Sequence, residues 1–383
     1  MIDTRLFRKS LAGATLAFCL FSAFANAQTI ETTAREALVI DATTDTVLLE
    51  HNADERMPTA SMSKIMTMYM VFEALDDGRL AMDDLLSVSE RAWRIEGSRM
   101  FIEVGDRVPV EDLVRGVIVQ SGNDAAIAFA EALGGTEEAF ARQMTERARE
   151  LGMVDSSFMN STGLPDPNHY STAHDLALLA EHLISEFPQY YHYYSELEFT
   201  WNDITQGNRN PLLYRDVGAD GLKTGHTSEA GYGLTGSAVR DGRRIIVVVN
   251  GLDSAQARAD EAARLLEWAF REFDAFHLFD AGETVTEAEV WQGDPSTVPL
   301  VVEEDLAMTL RQAARDEIDV VASWDGPIPA PIAAGDEIGI LTISAPGMPD
   351  RTVPLVAGAS IAEQGFLGRI ASGVGGLIGG IVN

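Results

Sequence analysis

Cysteine is nearly missing from this chain of 383 residues: the single one, Cys19, stands in the first thirty positions. Once that leading segment is set aside, the chain has no thiol. Disulfides, thiolate metal sites and cysteine catalysis are therefore excluded. None of the seven histidines falls in a His-Glu-x-x-His or other zinc-like spacing, so neither a metal nor another cofactor is expected. Positive charge is scarce as well, with 28 Lys and Arg against 59 Asp and Glu and a formal net charge of −31. Such a surface repels nucleic acid, and no basic patch offsets it. Nucleic acid is not an expected partner.

A long hydrophobic run is also missing near the start. Arg5, Arg8 and Lys9 precede an apolar stretch over 11–24, and Ala25-Asn26-Ala27 then gives a small-x-small cleavage pattern. That is the layout of a removable export signal over 1–27, with Gln28 as the new N-terminus; an uncleaved anchor is the alternative. An exported protein is therefore expected. The remaining chain is longer than one comfortable core, which predicts two domains.

Residues 36–50 alternate apolar and polar around Thr43-Thr44-Asp45 and predict a hairpin. From Ser61 to Leu75 apolar residues recur at helical spacing, and the methionines there are read as core filler. Further helices are expected over 110–119, 124–133, 136–151, 174–184 and 261–273, with a hairpin about Asp241-Gly242. Beyond about 282, short runs separated by Gly, Pro and Asp predict strands at 289–291, 298–302, 318–324, 337–344 and 352–356. The expected division is a main domain over 28–283, a small all-β domain over 284–361 and a Gly-rich tail over 362–383. Phe366, Ile370, Val374, Leu377, Ile378 and Ile381 would line one side of a helix in that tail, suiting an interfacial anchor on a membrane surface. A disordered or docked tail is the competing expectation.

Three short motifs carry the chemistry. In "PTASMSKIM", Ser61 and Lys64 lie one turn apart if a helix begins there, so their side chains can meet. The positive helix end and burial both disfavour a charged Lys64, and a neutral lysine suits general-base activation of a serine. Ser121-Gly122-Asn123 puts a hydroxyl and an amide on a bend between two helices, although Ser and Asn also serve as ordinary caps. Lys223-Thr224-Gly225-His226 offers a cation, a hydroxyl and a position without a side chain along a strand that an extended peptide could join. A turn with a solvated lysine is the plain reading of that stretch taken alone.

Ser-x-x-Lys, Ser-x-Asn and Lys-Thr-Gly in this order form the signature of the penicillin-recognising serine enzymes. The chain resembles the D-alanyl-D-alanine carboxypeptidases, the low-molecular-mass penicillin-binding proteins. The likeness extends to "SGNDAAIAFAEALGGTEEAF", "HYSTAHDLALLAEHLI", "TWNDITQGNRNPLL" and "DGLKTGHTSEAGYGL". It implies an α/β (α+β) fold: a β-lactamase/transpeptidase-like domain with a central antiparallel sheet flanked by helices, followed by a small all-β domain. It also implies roles. Ser61 is the acylated nucleophile and Lys64 its base, while Ser121 and Lys223 pass a proton to the leaving D-alanine. Asn123 positions substrate, Thr224 hydrogen-bonds the substrate's terminal carboxylate beside Gly225, and the backbone N–H groups of Ser61 and His226 form the oxyanion hole. Arg209 and Arg258 stand where the family carries active-site arginines.

The resemblance further implies peptidoglycan stem peptides ending in D-Ala-D-Ala as substrate and β-lactams as covalent inhibitors. A location on the outer face of the inner membrane goes with it. The alternatives are a DD-endopeptidase, a serine β-lactamase and a non-catalytic wall-binding scaffold. Gly122 at the centre of the second motif and the absence of Glu-x-x-Leu-Asn weigh against the lactamase.

Overall fold

The computed structural model describes residues 30–346 and 350–365. The expected signal over 1–27 and the tail from 366 onward lie outside the described residues. Among the described residues no helix is long and apolar enough to cross a membrane.

The expected first hairpin is present as β1 (Glu36–Asp41) and β2 (Thr46–His51). Three more strands complete its sheet: β3 (Ala219–Thr227), β4 (Gly231–Arg240) and β5 (Arg243–Leu252). The order is β2-β1-β5-β4-β3 and every pairing is antiparallel. Side chains alternate between faces along a strand, yet Ile245, Ile246, Val247, Val248 and Val249 are all fully buried. Both faces of the sheet centre are therefore covered. Ile246 and Val248 join the helical core, and a long helix after β5 packs on β4 and β5. β3 is the outer strand, and its free edge is left for the site.

The helical core is built around α1 (Lys64–Asp76), buried on nearly every side. A helix apolar all round can only be central. Around it stand α2 (Val110–Ile118), α3 (Asn123–Gly134), α4 (Glu137–Glu150) and α5 (Ala173–Glu186). All four lie within a residue or two of expectation, because Thr136 and Thr172 cap α4 and α5 by accepting from Ala139 and Asp175 N–H groups. The methionines at 62, 66, 68 and 70 are core residues, as expected.

The last main-domain helix departs from the sequence reading. α6 runs Ala255–Glu272, six residues earlier than expected, because Ser254 caps it by accepting the Ala257 N–H at 3.0 Å. The polar run Gln256 to Asp260 hid that start. Its end differs too: Phe273 opens strand β6 (Phe273–Phe279), which pairs with a strand over Leu306–Arg311. Neither strand was expected. The first follows a helix with no turn residue between them, and the second is rich in Leu, Ala and Met, which favour helix in isolation. The all-β part thus begins at Phe273 rather than at 284.

The expected strands of this part form one sheet, with an added parallel pairing of Ile328–Pro329. It closes over Val298, Leu300, Leu341, Ile343 and Leu355. It is keyed to the main domain by polar contacts. Thr309 Oγ1 donates to Asp41 Oδ2 at 2.6 Å and lies 2.7 Å from Thr44 Oγ1, while Arg351 donates to the Thr44 carbonyl at 3.0 Å.

Candidate active site

Ser61 lies on a short 3-10 turn, Ala60–Ser63, that runs directly into α1. The difference from the expected α-helical start matters. Side chains three apart eclipse on a 3-10 turn, so Lys64 reaches straight back over Ser61. Lys64 Nζ stands 3.0 Å from Ser61 Oγ, 2.7 Å from Asn123 Oδ1 and 2.6 Å from the Thr162 carbonyl oxygen. The orientation of the Asn123 amide is fixed, because its Nδ2 donates to the Glu96 carbonyl at 2.7 Å.

Lys64 is completely buried. Burial pulls its pKa down to about 7, and the Arg209 charge adds to the effect; Asp124 and Glu137 oppose it. In the neutral amine, the two N–H bonds go to Asn123 and Thr162, whose oxygens can only accept. The lone pair is then left facing the Ser61 hydroxyl, the arrangement in which the amine can take its proton.

The Thr162 carbonyl is held in turn by groups the sequence did not single out. Glu137, nearly buried, accepts from Ser161 N at 3.1 Å and Ser161 Oγ at 2.8 Å. Asn160 Oδ1 gathers the N–H groups of Thr162, Gly163 and Leu164. Asp124, fully buried, accepts from the N–H groups of Met100, Phe101 and Ile102 and so holds the loop facing Asn123. Nothing in sequence flags these acids, since on a helical pattern they read as solvated positions.

Ser121 sits on the bend between α2 and α3 at φ 59°. The left-handed region is costly for a residue with a side chain, about 1–2 kcal/mol, and such strain gathers at working sites. Ser121 is buried, and among the described residues no hydrogen bond joins it to Lys64 or Lys223. Lys223 is buried on β3 with its amine 3.3 Å from the Thr224 carbonyl, and its pKa falls well below the ordinary value. Burial is the main cause, with Lys64, Arg209 and Arg258 as nearby cations.

Gly225 has a different reason from the expected one. A Cβ there would stand 2.5 Å from the Thr59 carbonyl oxygen and 3.2 Å from Ala60 Cβ. The glycine lets β3 press against the turn that carries Ser61. Thr224 is buried beside it, and the exposed His226 ring stacks on Tyr232 with centroids 3.9 Å apart. Arg209 is exposed and donates to Ser98 Oγ at 2.6 Å. Arg258 lies on the first turn of α6, nine-tenths buried, 5.8 Å from the Tyr232 ring, with Nε lacking a partner. A buried guanidinium with an unpartnered Nε suits an incoming carboxylate. Among the described residues no cluster of metal-ligating side chains occurs.

Residues 22–254 match the family model described as D-alanyl-D-alanine carboxypeptidase, and 273–363 match that of the penicillin-binding protein 5 C-terminal domain. The chain is 37% identical to the D-alanyl-D-alanine carboxypeptidase DacD of Escherichia coli over 378 residues, covering 95% of this chain and 97% of that protein. The crystal structure of penicillin-binding protein 5 from Haemophilus influenzae superposes with a TM-score of 0.81 at 35% identity, over 88% of this chain and all of that one. Penicillin-binding protein D2 of Listeria monocytogenes, solved in an ampicillin-bound form, matches with a TM-score of 0.59 at 33% identity over 63% of this chain and 99% of that one.

Proposed function

The chain belongs to the D-alanyl-D-alanine carboxypeptidase family, and from that premise we propose that it removes the terminal D-alanine of peptidoglycan pentapeptides through an acyl-enzyme on Ser61. The observation that carries this reading is the buried, near-neutral Lys64 amine 3.0 Å from Ser61 Oγ.

The stem peptide lies antiparallel along the free edge of β3, where a backbone can add as a further strand. Its terminal carboxylate meets Thr224 and the cations Arg209 and Arg258. Asn123 steadies the peptide amide while keeping its hold on Lys64. Neutral Lys64 takes the Ser61 proton as Oγ attacks the carbonyl carbon between the two D-alanines. The oxyanion that forms is received by the N–H groups of Ser61 and His226. Collapse breaks the C–N bond, and the departing amine takes its proton through Ser121 and Lys223. Water then attacks the ester, returning a proton to Ser61 and releasing the shortened peptide. A β-lactam enters as a mimic of the same dipeptide and is opened by the same serine. No step calls for a metal.

Export through residues 1–27 and work in the periplasm fit this substrate. The tail from 366 onward serves as an interfacial anchor on the outer face of the inner membrane.

The test is D-alanine release from a pentapeptide ending in D-Ala-D-Ala, comparing the parent with Ser61→Ala. Release by the parent alone is expected. Equal release by both would remove Ser61 from its role, and penicillin uptake without any release would redirect the reading to crosslinked peptides.

A further inference from the structure

Two side chains given no role so far, Ser63 inside the first motif and His169 outside all three, grip the peptide unit that ends at Ser61. Ser63 Oγ donates to the Ala60 carbonyl at 2.9 Å. His169 Nε2 stands 2.8 Å from the same hydroxyl oxygen. The other ring nitrogen, Nδ1, accepts the Met159 N–H at 3.2 Å. That contact assigns the tautomer: Nδ1 carries the lone pair, so Nε2 carries the proton and donates to Ser63. Thr59 Oγ1, 2.6 Å away, supplies the second hydrogen bond that Ser63 Oγ can accept. Every position on the Ser63 hydroxyl is then filled, and its one proton is committed to Ala60.

The Ala60 carbonyl and the Ser61 N–H are opposite ends of one trans peptide plane. Holding the oxygen on one side fixes where the N–H points on the other. The grip is needed because Ala60 sits at φ 48°, a conformation that an alanine leaves readily unless its surroundings enforce it. Gly163 completes the clamp: a Cβ there would lie 1.8 Å from the Ala60 oxygen, so the carbonyl packs on bare backbone. His169 is itself nearly buried, edge-on to Phe158 with centroids 5.5 Å apart. Its burial holds its pKa down to about 4, so the neutral tautomer is the one present at working pH.

We propose that His169 and Ser63 are positioning residues for the oxyanion hole, acting in series as His169 Nε2–H to Ser63 Oγ–H to the Ala60 carbonyl to aim the Ser61 N–H at the developing oxyanion. Donation into a peptide carbonyl also strengthens donation from the N–H at its other end. The inference rests on the acyl-enzyme reading of Ser61.

The experiment is uptake of a fluorescent penicillin by the full chain, recording the labelled stoichiometry and the second-order acylation rate constant separately. Stoichiometry counts intact sites, and the rate reports how well each one works. His169→Phe and Ser63→Ala should label to the parental stoichiometry about tenfold to a hundredfold more slowly, less than or equal to the loss of a whole oxyanion donor. His169→Gln, which can accept from Met159 and donate to Ser63, should return to within about threefold of the parent. The double variant should be no slower than Ser63→Ala alone, since both changes break one chain.

Parental rates in Ser63→Ala or His169→Phe would overturn the inference, as would fully multiplicative losses in the double variant. Where His169→Phe yields no intact sites, Ser63→Ala decides the matter. A parent that takes up no penicillin would overturn the acyl-enzyme reading itself, whereas a labelling parent with unaffected variants overturns the relay alone.

Discussion

Lys64 shows how one side chain acquires its chemistry from its surroundings. A lysine in water keeps its proton to about pH 10, but this one is wholly buried and titrates near 7. In the proposed mechanism the neutral amine is the base, so its role is lost as pH falls through that value and retained above it. The acylation rate should therefore rise with pH through about 7 and then level off, measured as the pH profile of penicillin uptake by the free protein. Arg209 contributes part of the depression through its charge. Arg209→Ala should move the midpoint of that profile upward, whatever it also does to binding. An unmoved midpoint would mean that burial alone sets the pKa of Lys64.

At the scale of elements, the site is the place where β3 meets the turn before α1. Gly225 permits that approach, and its missing Cβ leaves the Thr59 carbonyl room that no other residue would. Gly225→Ala should force the strand and turn apart, lowering stability by about 1–3 kcal/mol and slowing acylation together. Thermal unfolding and penicillin uptake measured on one preparation would check both. Slower uptake with unchanged stability would restore the sequence-based reading, in which the glycine only clears a path for substrate. The left-handed Ala60 lies in this junction, and the left-handed Ser121 on the bend between α2 and α3. Each carries its strain where two elements must turn sharply to deliver a hydroxyl to one cleft.

The main sheet and the β-rich part are joined by buried polar contacts and by Phe273, which packs edge-on against Trp268 of α6. Thr309, fully buried, bonds Asp41, and Asp41 also receives the Arg243 guanidinium at 2.6 Å. Thr309→Val should lower stability by about 1–3 kcal/mol by removing one of the two hydrogen bonds that the buried Asp41 Oδ2 accepts, while the acylation rate stays at the parental value. Slowed acylation would show that the β-rich part bears on the site. Ala362–Glu363, expected in the tail, instead pair with Gly293–Asp294, so deletion from residue 366 should release the protein from membranes without changing its catalysis; unaltered membrane fractionation would remove the tail from that role.

The sequence by itself determined the helices around the site, the first and last hairpins of the main sheet and the three motifs with their order. These are local matters: periodicity, caps and turn residues act over a few positions, and a reactive serine needs its lysine at a fixed spacing. It also determined most of the later strands, through short β-favouring runs broken by Gly and Pro. Only the tertiary structure decided the rest. Ser254 caps a helix that begins in a polar run, and Phe273 opens a strand because Leu306–Arg311 lies alongside it. Glu137, Asp124, Asn160 and His169 lie far along the chain from the turn that carries Ser61. They join the site because packing removes them from water, and a buried polar group must then find its partner across the fold.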